Sequence, residues 1–165
     1  MATTTTSPTA GPRLHLGRGA RRAVLSAHVI SSVGLLGASS ALLALAIAGA
    51  TTADAELERG AYRFVVIFGK AFGIPLSFSA LLTGIVLGLG SKWGVLRYPW
   101  VTAKLVLLVT TILCGAIVIG PLAERLIDEP ADGPGALVVA AVYNVLALLT
   151  STVLSVYKPG GRRRR

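Results

Sequence analysis

Three ionisable side chains, His28, Lys70 and Lys104, stand inside long apolar stretches of this chain. A charge at the centre of a bilayer costs about 2.5–3.5 kcal/mol on insertion scales, so each asks for a reason. An imidazole can ligate a metal or carry a proton, and an ammonium can hold an anion. His28 lies five residues past Ala23 and Lys104 four past Trp100. At the helical rise, both sit roughly 6–8 Å inside the same membrane boundary. The two share one layer and form the candidate cofactor-binding pair. Lys70 follows Arg63 from the opposite side and belongs to the other leaflet, near the depth of Tyr143 and Asn144. The plainer reading of both lysines is snorkelling, in which the long stem carries the charge to the nearer interface. No Asp or Glu lies within an apolar span, which argues against an exporter built on a buried carboxylate. A lone intramembrane histidine cannot give one chain bis-histidine haem ligation. No HExxH, GxSxG, Walker or zinc spacing occurs, so neither a catalytic centre nor a metal site is predicted. Cys114 stands alone and reads as a small core residue.

The elements that must position these residues are transmembrane helices. Of 165 residues, 53% are hydrophobic and 14% charged, with a mean hydropathy of +0.73. That is too apolar for a water-soluble domain of this size. A span needs about 20 apolar residues to cross about 30 Å of hydrocarbon. Four such segments occur, at about 23–50, 62–90, 100–119 and 136–157, giving an all-α, four-helix transmembrane bundle over 20–158. A secretory signal is the rival reading of the first, because Arg21 and Arg22 precede it and Ala48-Gly49-Ala50 resembles a cleavage site. Signal cores run only about 7–15 residues, which favours a span. Pro75 is expected to kink the second helix, and Pro99 and Pro121 to bound the third.

Charge sorts by side. All 7 acids fall in two regions, Asp54 to Glu58 and Glu124 to Asp132. Arg13, Arg18, Arg21, Arg22, Lys92, Arg97, Lys158 and Arg162 to Arg165 fall on the other side. By the positive-inside rule the basic side is cytoplasmic, so both termini face the cytoplasm, here of a bacterial plasma membrane. The net charge of +9 therefore reports orientation, and nucleic acid is not an expected partner. Residues 1–19 read as a disordered cytoplasmic tail and 159–165 as a basic one that attracts anionic lipid headgroups. Trp93, Tyr98, Trp100 and Tyr157 would form an aromatic belt at the cytoplasmic interface, with Tyr62 at the outer one.

Bundles in lipid pack through small and hydrogen-bonding residues. The inward stripes are expected to be His28, Ser31, Ser32 and Ser39; Lys70, Gly73, Ser77, Gly84 and Gly88; Lys104, Thr111 and Gly115; and Asn144, Ala147, Ser151 and Ser155. Gly84-x-x-x-Gly88 could instead pair two chains, so a homo- or hetero-oligomer stays open.

The segments LSAHVISSVGLLG around His28 and SKWGVLRYPWVTAKLVLLV leading into Lys104 resemble an uncharacterised bacterial family of small four-helix integral membrane proteins. The likeness covers Arg22 to Tyr157. The histidine-and-lysine pairing is also similar to HemJ-type protoporphyrinogen oxidases and CopD-like membrane proteins. That resemblance implies haem or porphyrin held through His28 and Lys104. The residues themselves point first to a non-enzymatic or accessory membrane protein. A membrane redox protein binding haem, porphyrin or quinone near the cytoplasmic face, and a small anion carrier or channel, are the alternatives.

Overall fold

A computed structural model describes residues 17–90, 98–129 and 133–157. The two tails beyond these, and the Lys92 to Arg97 segment with its Trp93, lie outside the described residues. Four helices, each long and apolar enough to cross a membrane, make up the fold: α1 (Arg18–Thr51), α2 (Ala55–Leu89), α3 (Pro99–Asp128) and α4 (Pro134–Tyr157).

Local chemistry sets the helix ends. Asp54 caps α2, its Oδ1 accepting from the backbone N–H of Glu56 at 2.8 Å and of Leu57 at 3.3 Å. This satisfies donors that have no partner in the helix. Pro99 and Pro134 stand in the first turns of α3 and α4, where a missing N–H costs nothing. Gly133, with φ of 85°, makes the left-handed entry to α4 that a side chain would oppose.

Pro121 lies inside α3 instead of bounding it as expected, and Pro75 lies inside α2. Each is preceded by a π-helical turn, Gly69–Gly73 in α2 and Cys114–Ile119 in α3. Proline has no N–H to give the carbonyl four residues back, and its ring crowds that carbonyl. The widened turn routes the bonding around the gap: Ile74 N–H reaches Gly69 O and Gly120 N–H reaches Gly115 O, five residues back. α3 thus passes Pro121 and runs on to Asp128.

Neighbouring helices are antiparallel. His28 meets Thr83 and Gly34 meets Leu76 across α1 and α2, while Thr110 meets Tyr143 across α3 and α4. The beginning of α1 and the end of α4 therefore share one end of the bundle, the basic end. The opposite, acidic end holds the apolar core, in which Leu42, Ala46, Tyr62, Val65, Ala123, Leu126 and Leu137 pack together.

Two expectations change here. Tyr62 is fully buried against Gly49 instead of meeting headgroups, because α2 begins well before its apolar span and carries Tyr62 into the core. Lys70 leaves the inward stripe: its Nζ lies 2.9 Å from Glu124 Oε1, with both side chains more than half exposed. The continuation of α3 past Pro121 supplies that partner. Exposed pairs of this kind contribute about 0–1 kcal/mol, so the contact relieves the cost of Lys70 more than it stabilises the bundle.

Candidate functional site

At the basic end the four helices part around a cavity of about 560 Å³. All four contribute to its wall, and both His28 and Lys104 line it. Lys70 does not; it stays at the acidic end with Glu124.

α1 brings His28 to α2. Its Nδ1 lies 3.1 Å from Ala80 O and 3.1 Å from Thr83 Oγ1. A carbonyl can only accept, so Nδ1 carries the ring proton and donates it to Ala80. Thr83 Oγ1 gives its own proton to Ser79 O and is free to accept as well. In the neutral ring Nε2 then carries the lone pair and is the nitrogen that can accept a proton or bind a metal. Nδ1–H bonding to a backbone carbonyl is the arrangement that fixes tautomer and ring direction in metal-ligating histidines.

Gly84 makes room for this ring. A Cβ there would fall 3.1 Å from His28 Cε1, so the first glycine of the GxxxG seats the imidazole. One turn deeper, Ser31 Oγ and Ser79 Oγ lie 2.7 Å apart and continue the polar seam between α1 and α2. Ser31, Ser39, Ser77, Thr111 and Asn144 from the expected stripes are buried, and Ser32, Ser151 and Ser155 line the cavity.

Lys104 enters from α3 and Arg21 from the first turns of α1. No carboxylate is among the lining residues, and among the described residues neither cation forms an ion pair. The rest of the wall is largely aliphatic, including Leu25, Val29, Leu36, Leu81, Leu105 and Leu108. Trp100 also lines it, a position that the aromatic-belt reading did not foresee. The site thus joins an apolar wall to two cations, with His28 on the same wall. No group of three or more metal-ligating side chains occurs among the described residues.

A family model for predicted integral membrane proteins, DUF2269, matches residues 22–133, from the start of α1 through the end of α3. The chain belongs to the DUF2269 family. The match takes in His28, Gly84 and Lys104 and stops before α4. No curated protein and no solved structure matches, so no comparison links this family member to HemJ-type or CopD-like proteins.

Proposed function

We propose that this DUF2269 member is a non-enzymatic binding protein of the membrane whose basic-end cavity receives an amphipathic molecule bearing an acidic group. The observation that carries the reading is the pairing of an aliphatic cavity with Lys104 and Arg21 and, among the described residues, no lining carboxylate. Lys104 is half-buried and Arg21 exposed at the rim, so a partly desolvated ammonium lacks an ion-pair partner among the described residues, and an anionic ligand supplies the missing charge. The apolar wall accounts for the ligand's body. The sorting of acids and bases along the sequence supports placing this cavity at the cytoplasmic face, in a bacterial plasma membrane with both termini inside.

Photolabelling tests the site. A diazirine-bearing alkyl phosphate should mark the cavity wall, within residues 25–36, 80–88, 100–108 and 148–155. Adducts confined to outward positions such as Ile117 and Val139, which are 68% and 70% exposed, would refute it.

The contact of His28 Nδ1 with Ala80 O favours one second reading, in which Lys104 would hold a carboxylate of a haem or porphyrin and His28 would ligate its iron through Nε2. Purified protein titrated with haem should then develop a Soret band that His28→Ala loses. A spectrum equal to that of free haem in detergent removes this version and leaves the first untouched.

A further inference from the structure

The ligand's source can be read from the shape of the cavity. We infer that the cavity opens sideways into the bilayer between α2 and α3 and is occupied by an acyl chain of an anionic membrane lipid, its headgroup held by Lys104 and Arg21. This deepens the binding reading above and rests on it.

Three observations lead to the lipid. The first is the seam. Ile74–Leu89 of α2 and Pro99–Leu113 of α3 hardly touch, whereas α1 packs closely on Ile74–Leu89 of α2 and, taken over its whole length, on α4, and Pro99–Leu113 of α3 packs on α4. At the acidic end α2 and α3 do meet, through the core around Tyr62 and Leu126 and the Lys70–Glu124 pair. The two helices therefore splay toward the basic end.

The second is length. Leu25, Val29, Val33 and Leu36 recur at helical spacing along the α1 wall. Eleven residues separate the first from the last, which is about 16 Å at the helical rise. One leaflet of the hydrocarbon core is about 15 Å deep. An extended acyl chain of a neighbouring lipid fits that depth without leaving its leaflet.

The third is charge. Arg21 lies one turn before Leu25 at the start of this track, and Lys104 lines the cavity from α3 in the layer of His28, within the basic half of the bundle where a lipid headgroup can be reached by its long stem. A phosphate entering this cavity finds two lining cations and, among the described residues, no lining carboxylate. A free phosphate would satisfy the cations but leave the 16 Å track, estimated from the helical rise, unfilled.

Bromine on acyl chains quenches tryptophan at short range, and Trp100 lines the cavity. The chain has 2 tryptophans, so Trp93→Phe leaves Trp100 as the single reporter. This variant is placed in vesicles of phosphatidylcholine and phosphatidylglycerol, with bromine on one lipid or the other at equal mole fraction. One cation near the surface favours an anionic lipid about fivefold, so brominated phosphatidylglycerol should quench more strongly, with that order of preference in occupancy. Lys104→Ala should bring the two lipids close to parity, and Ser151→Phe, which fills the cavity, should lower the quenching by both. Equal quenching by both lipids before any cavity substitution overturns the inference, as does a preference that survives Lys104→Ala. If the lipid preference is absent but the alkyl phosphate still labels the cavity, the lipid assignment fails and the binding reading stands. If neither appears, both fall.

Discussion

Gly49→Ala should destabilise the bundle by about 1–3 kcal/mol, the usual cost of overpacking a filled core. The added Cβ would lie 2.6 Å from Tyr62 Cε1 and 2.9 Å from its Cζ, closer than carbon atoms tolerate. Tyr62 has no exposed surface and is packed among the buried residues of the acidic end. The ring therefore cannot swing away without disturbing α1, α2 and α3 together. Thermal unfolding in mild detergent reads the effect. Tyr62→Leu removes the ring atoms that clash and should return part of the lost stability when combined with Gly49→Ala. An unchanged midpoint in the single variant would mean that this contact is looser than described. The Tyr62 hydroxyl is itself buried without a hydrogen-bond partner among the described residues. Its desolvation is uncompensated, so the tight seat depends on ring shape, not on the polar tip.

How far the sequence reaches differs between the two ends of the bundle. Hydropathy and spacing were enough for four long apolar helices, because a bilayer demands about 20 apolar residues and intrahelical hydrogen bonding of any span. The depth argument that grouped His28 with Lys104 is matched by a cavity that both residues line. It needed only the rise per residue and the alternation of helix direction. The acidic end was harder to read, since its contacts come from helix continuing beyond the apolar spans. Pro121 looks like a stop in a sequence, yet the π-turn before it lets α3 go on and bring Glu124 to Lys70. Tyr62 reads as an interfacial aromatic by composition, and only the depth of its contact with Gly49 shows it to be core. Cys114 is half-buried, with its Sγ 3.8 Å from Ala140 O, a placement that its isolation in the sequence could not supply. The cavity itself has no linear signature: it arises because α2 and α3 separate at the basic end, and helix separation is a property of packing.

Lys104→Glu is the substitution with the largest expected effect on ligand binding. It replaces an ammonium without an ion-pair partner among the described residues by a carboxylate at the same point of the wall. Truncating one partner of a desolvated charge pair costs about 2–5 kcal/mol, and reversal adds repulsion to that loss. A ligand that binds only the folded state raises the unfolding midpoint by mass action, which makes stability the readout. His28, held by Ala80 O from the α2 side, should remain in place, so the variant isolates the charge.

The measurement that bears most directly on the account is therefore the midpoint shift produced by dodecyl phosphate and by dodecyltrimethylammonium at equal concentration in neutral detergent. The wild-type protein should be stabilised by the anionic amphiphile and not by the cationic one, and Lys104→Glu should lose or reverse that preference. Equal shifts from the two amphiphiles in the wild type, or a preference for dodecyl phosphate that Lys104→Glu leaves intact, would contradict it.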